Sequence, residues 1–270
     1  MTKLAVFSLL AFCMVLASCT VNKARIDSDL KKYFDAAQVD GCFSLLENAA
    51  GEITIYNMSL DTQRVLPGST FEIVNSLIGL ETGKITDEKM VLQWDGVQRP
   101  HRDWNKDLSM EEAFKVSSVP YDQEVARRVG PDTMKNWVDT LRYGNMHMAG
   151  PVDSFWLNNS LKISPDEQLG LMYRLFFDKL PFTKRSQQIV RDRMLQENNT
   201  LYKLSYTTGS GVDENDHPVG WVVGWIVENR HVFFFVTLVK SPHQNTDVDS
   251  AGMRVTKEIL MELGFFKGEK

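Results

Sequence analysis

Ser69 and Glu72 stand three residues apart at the mouth of an apolar helix, within Pro67-Gly68-Ser69-Thr70-Phe71-Glu72. Apolar residues recur at Phe71, Val74, Leu77 and Ile78, a spacing that predicts a helix with one buried face. A hydroxyl at such a start lies among backbone N–H groups without helical partners, at the positive end of the dipole, where an anionic atom is favoured. The three-residue spacing puts Glu72 on the same face as Ser69. A serine nucleophile and its base need this arrangement. The same letters also spell a capping box, in which Ser69 accepts from the Glu72 N–H and the Glu72 carboxylate reaches back to the Ser69 N–H. Ser109-Met110-Glu111-Glu112 repeats the pattern with no chemistry around it, so the motif alone does not choose between nucleophile and cap.

The elements that must hold these residues follow from periodicity. Ile26 to Ala37 has helical spacing, and Cys42–Leu46 and Ile53–Tyr56 read as a hairpin across Asn48-Ala49-Ala50-Gly51. The Ser69 helix stops near Gly83. Residues 85–108 are polar and irregular, with Trp94 and Trp104 as anchors. Helical patterns cover 109–116, 121–129, 132–142, 165–178 and 183–197, with Asp132 and Ser164 as helix starts. The period then changes to strands at Tyr202–Thr208, Val219–Val227 and Val232–Val239, the last two joined at Glu228-Asn229-Arg230. Ala251–Leu263 closes as an amphipathic helix. The expected fold class is α/β (α+β): an antiparallel sheet built from both chain ends, flanked by helices, with an inserted helical subdomain at about 85–197.

Composition sets outer bounds. The 270 residues carry a net charge of −5 and are 43% hydrophobic, ordinary for a globular chain with a full core. Such a balance gives no reason to expect nucleic acid or a polybasic membrane contact. Lys3 precedes the apolar run Leu4–Ala17, too short to span a bilayer and suited to a signal peptide over residues 1–18. It ends in Leu16-Ala17-Ser18-Cys19, which resembles a bacterial lipoprotein cleavage box. That resemblance implies lipidation at Cys19, a tether over 19–25, and an exported lipoprotein of the bacterial envelope, facing the periplasm and held to the membrane by lipid. An ordinary secretory peptide is the alternative. With Cys13 removed and Cys19 lipidated, Cys42 has no disulfide partner in the mature chain.

Several short pieces share one order. Pro67-Gly68-Ser69-Thr70-Phe71 leads into Asn75-Ser76-Leu77-Ile78-Gly79-Leu80-Glu81-Thr82-Gly83. Ser117-Ser118-Val119-Pro120, Tyr143-Gly144-Asn145, Phe155-Trp156-Leu157, Thr208-Gly209 and Gly252-Met253-Arg254 follow in turn. This order resembles the class D serine β-lactamases and related penicillin-recognising domains, across a single domain at 26–268. The resemblance implies Ser69 as the nucleophile that opens a β-lactam, with the N–H groups of Ser69 and Ser210 as oxyanion hole. It implies a proton relay at Ser117 and a site lined by Tyr143 and Asn145. Trp156 would steady the catalytic carboxylate with its N–H. Thr207, Thr208 and Gly209 would hold substrate, and Arg254 would grip the substrate carboxylate. The expected ligand is a β-lactam or a peptidoglycan-peptide-like small molecule, with no cofactor and no metal.

Two positions depart from the family pattern. Its Ser-x-x-Lys lysine, which is carbamylated to supply the base, is Glu72 here. The lysine of its Lys-Thr-Gly strand is Thr207. Glutamate cannot be carbamylated, and its carboxylate falls short of the carbamate by roughly 3–4 Å, so it would need a bridging water. Lys203 lies about 13 Å along the strand from Thr207 and does not substitute. Tyr143 and His147 are other candidate bases. The expected protein binds penicillin-like ligands at Ser69 with weak or absent hydrolysis. The alternatives are an active β-lactamase with Glu72 as surrogate base and a non-catalytic module for peptidoglycan peptides or a protein partner.

Overall fold

The computed structural model describes residues 23–270; the leader, Cys19 and the start of the tether lie outside the described residues. The chain opens with β1 (Lys23–Ile26), a 3₁₀ turn and α1 (Lys31–Ala37). Ile26 therefore belongs to an exposed strand, not to the helix its spacing suggested. The hairpin β2 (Asp40–Glu47) and β3 (Glu52–Tyr56) forms as expected, followed by α2 (Met58–Asp61). A 3₁₀ turn at Gly68–Phe71 then runs into α3 (Glu72–Glu81).

The middle of the chain is helical. After the two-residue strands β4 (Val91–Leu92) and β5 (Leu108–Ser109) come α4 (Met110–Lys115), α5 (Val119–Val129), α6 (Pro131–Leu141), α7 (Pro165–Phe176) and α8 (Lys184–Met194). Ser109 and Ser164 both close capping boxes, with Glu112 and Glu167. Gly130, not Asp132, is the cap residue of α6. Residues 195–197, read from spacing as the end of a helix, instead belong to β6 (Leu195–Asn198), which pairs with β7 (Tyr202–Val212). Then come β8 (Pro218–Glu228), β9 (His231–Lys240) and α9 (Val248–Glu262). Asn229 and Arg230 both take positive φ, 47° and 68°, the backbone of a two-residue hairpin turn whose twist matches its strands.

One seven-stranded sheet runs in the order β1-β3-β2-β9-β8-β7-β6. β2 pairs with β9 from Asp40 opposite Lys240 to Glu47 opposite Phe233, so the two chain ends meet at the sheet centre. All neighbours are antiparallel except β1, which runs parallel to β3 at the edge. On one face α1 and α9 pack Phe34, Val255 and Ile259 against Phe235 and Val239. On the other, α7 and the helical subdomain bury Leu171, Leu175 and Phe234. α3 runs through that second core with every residue from Glu72 to Leu80 buried, beyond the single face its apolar spacing requires. Glu228, fully buried at the end of β8, accepts N–H bonds from Phe266 (3.2 Å), Gly268 and Glu269 (3.3 Å), which ties down the last residues.

Candidate active site

The approach to Ser69 is held on both sides. Val65 exchanges two backbone bonds with Ile163, at 3.0 and 2.8 Å, and the Trp221 indole donates to the Leu66 carbonyl at 2.9 Å. Gly68 then turns the chain with φ of 53°, where a Cβ would come within 2.4 Å of the Ser210 carbonyl. A Cβ on Gly209 would lie 2.4 Å from the Thr70 nitrogen. Only glycine at both positions lets β7 press its backbone onto the Ser69 turn. The result is a cleft of about 340 Å³ lined by Ser69, Ser117, Thr208, Gly209 and Ser210, five of the sequence candidates. Ser69 and Ser210, whose N–H groups the resemblance assigns to the oxyanion hole, thus line one opening. Ser117 sits at φ 44°, a left-handed conformation strained for any residue but glycine.

Beneath the cleft, Glu72 is not a cap. Neither the 3₁₀ turn nor α3 carries a side-chain capping bond, and α3 begins at Glu72 itself, so Ser69 is not its cap residue. The Glu72 side chain turns inward instead. Its Oε1 accepts from the Thr207 hydroxyl, and its Oε2 is buried with no partner. Asp122 of α5 is buried beside it, held by Asn75, whose amide donates to the Asp122 carbonyl at 3.0 Å and carboxylate at 3.1 Å. Burial, and then the neighbouring Asp122 charge, push the Glu72 carboxyl well above the carboxylate range, against the Thr207 bond. Burial pushes Asp122 up to about 7, with the Asn75 bond opposing. No lysine or arginine among the described residues pairs with either acid, so nothing offsets the burial that favours the protonated form of both.

The remaining sequence candidates lie outside the cleft lining. Tyr143 is buried against Phe71, ring centroids 5.6 Å apart, and burial raises its phenol, which leaves it unfit as a base. Trp156 stacks on Phe71 at 5.2 Å and makes no hydrogen bond to Glu72; Thr207 occupies that role. Asn145 ties two loops, donating to the Ser160 carbonyl at 2.8 Å and accepting from the Lys162 N–H at 3.0 Å. It lines a separate hollow with His147. Arg254 is exposed on α9 and lines neither the Ser69 cleft nor its extension of about 370 Å³ past Thr207 and Met253. α9 begins at Val248, nearly two turns before Arg254, so Arg254 does not open the helix.

A family model for the penicillin-binding protein transpeptidase domain matches residues 41–263. Over 247 residues the chain is 36% identical to a probable β-lactamase, YbxI, of Bacillus subtilis, covering 90% of this chain and 86% of that one. The chain belongs to the class D β-lactamase family. A class D β-lactamase from Sebaldella termitidis superposes with a TM-score of 0.84 at 30% identity, covering 90% of this chain and 98% of that one. The C-terminal domain of the Bacillus licheniformis BlaR penicillin receptor gives 0.86 at 27% identity, covering 91% and 98%. The penicillin-binding, class D β-lactamase-like fold is thus shared by hydrolase-named and receptor-named proteins.

Sequence reasoning missed three residues of this class D site. Asp122 falls with Tyr121, Val125, Ala126 and Val129 on the buried face of α5, and a lone acid on an apolar stripe was the available sign. Asn75 lies one helical turn after Glu72 and serves to hold Asp122. Asp249 lines both halves of the cleft and accepts from the Ser210 hydroxyl at 2.9 Å. Nothing in the spacing of α9 marked it. Trp104, expected as an anchor, donates to the Val116 carbonyl at 3.0 Å beside Ser117 and stacks on His101 to wall the cleft.

Proposed function

We propose that this class D β-lactamase-like protein is a penicillin-binding protein acylated slowly at Ser69, with little hydrolysis. The observation that carries the reading is Glu72: a buried carboxyl, bonded to Thr207 and pushed by burial toward its protonated form. In the chemistry the family resemblance implies, a deprotonated group accepts the serine proton and later activates water. A protonated acid does neither. Loss of a general base lowers rates by roughly 10²–10⁴-fold. Binding and oxyanion donors still support attack on a strained lactam. Deacylation, which must deprotonate water, suffers more, and the acyl-enzyme persists.

Intact-mass spectrometry after incubation with benzylpenicillin tests this. The expected result is an adduct of one penicillin mass that accumulates over many minutes and is lost in Ser69→Ala. Rapid nitrocefin turnover abolished by Glu72→Gln would replace this reading with hydrolysis through Glu72. The unpartnered Glu72 Oε2 favours that second reading, since a water bound there would reach farther than the side chain.

We also propose that the protein is an exported lipoprotein of the bacterial envelope, on the strength of Leu16-Ala17-Ser18-Cys19. Cys19→Ala should release it from the membrane fraction; retention of that variant on membranes overturns the assignment.

A further inference from the structure

The charge of the Ser69 cleft is of one sign where ligand must seat. Of the residues lining the opening at Ser69, only His101 and Asp249 are ionisable, and the His101 ring is stacked on Trp104, centroids 4.7 Å apart. Thr207 replaces a cation on β7, and Arg254 stands outside the lining. Lys115 is the one lysine or arginine of the adjoining half, exposed on α4.

We propose that Asp249 makes this cleft selective for ligands that carry a positive charge, with zwitterionic β-lactams as the substrate class and purely anionic ones disfavoured. The proposal rests on the reading of Ser69 as acyl acceptor and names which acyl donors it takes.

An acid in the first turn of a helix is ordinarily explained by the helix itself. Here Asp247 already fills that role, accepting from the Ser250 N–H at 3.0 Å and the Ser250 hydroxyl at 2.6 Å. The Asp249 bond leaves the helix and goes to the hydroxyl of Ser210, a residue that lines the opening with Ser69. One carboxylate oxygen is thereby fixed. The other, Oδ1, has no hydrogen-bond partner among the described residues, and Asp249 is an exposed residue. A fixed carboxylate with one oxygen free at the mouth of a cleft is an ammonium receptor, and the Trp104 ring in the same wall adds a face that attracts cations. A ligand carboxylate seated at Ser210 meets the same charge as repulsion.

At a separation of about 5 Å and an effective dielectric of about 40, one unit charge against another amounts to roughly tenfold or more in affinity. Cephaloridine and cephalothin test the proposal cleanly. They share one acylamino side chain and one ring carboxylate. They differ at the 3′ position, pyridinium in the first and acetoxy in the second. The rate of Ser69 adduct formation is read by intact mass for both, in the wild type and in Asp249→Asn, which keeps an acceptor for Ser210. Leaving-group differences between the drugs are the same in both proteins, so the change in their ratio is the readout.

The expected result is a cephaloridine-to-cephalothin ratio that falls roughly tenfold in Asp249→Asn, with unchanged thermal unfolding. The ratio should also shrink at high salt in the wild type alone. An unchanged ratio in a folded Asp249→Asn overturns the proposal. Titration calorimetry of Ser69→Ala with the two drugs reads the same preference as a ratio of Kd values without any acylation. Adduct with neither drug sinks the acyl-acceptor reading. The Kd ratio then decides the charge preference separately: equal Kd values, or binding of neither drug, overturn it.

Discussion

Removing the buried acid pair should relieve most of the fold's loss of stability at alkaline pH. Burial moves Asp122 from 3.8 to about 7 and raises Glu72 as well. Between the unfolded and folded values the native state binds more protons than the unfolded chain. Stability therefore falls as pH rises through that window and levels off above it. At about 1.4 kcal/mol per pH unit, the Asp122 displacement alone amounts to about 4 kcal/mol, of which about 3 falls between about pH 4.5 and 8.5. Asp61, raised to about 6 by burial, acts in the same direction, discounted to about 1 kcal/mol because it is partly solvated. Urea unfolding of the wild type should lose at least about 4 kcal/mol across that range, whereas Glu72→Gln with Asp122→Asn should lose only about 1. Both amides keep the bonds to Thr207 and Asn75 available. Equal losses in the two proteins would refute the reasoning, because the pair would then not be holding protons at neutral pH.

Two other outcomes follow from contacts already described. Gly209→Ala drives a Cβ to 2.4 Å from the Thr70 nitrogen. It should cost more than about 2 kcal/mol, lower Tm by roughly 5 °C or more and abolish the Ser69 adduct; a differential scanning trace superposable on the wild type counts against the close approach. Glu72→Lys with Thr207→Lys restores an amine beside Asp122 and a cation on β7, and should raise nitrocefin hydrolysis by roughly 10² or more. A folded double variant that remains inert shows that the site lacks more than its two lysines.

The fold was legible where local pattern and tertiary environment agree. The β2–β3 hairpin, α7 with its Ser164 cap and the β8–β9 turn each carry their own chemistry in a few consecutive residues. Residues 26 and 195–197 were misread because their apolar spacing continues a neighbouring helix, while pairing with β3 and β7 makes them strands. Ser69, Ser117 and Ser210, named from ordered motifs, line one cleft. Glu72 was the harder case. Its letter fits a cap, and only the 3₁₀ turn before it and the Thr207 hydroxyl opposite turn it into the floor of the cleft. Arg254 and Asp249 differ by helical phase, which a motif match does not resolve.

The pairing of β2 with β9 has a kinetic consequence. The central ladder of the sheet joins Asp40 to Lys240, so no local segment can complete it. A large loop must close before that ladder forms, and closure of this kind slows folding and prolongs exposure of unsatisfied strands. The hairpin of β8 and β9 also leaves Glu228 without its amide partners until residues 266–269 arrive. On the ribosome the central ladder therefore waits for β9, and the Glu228 contacts wait for residues 266–269.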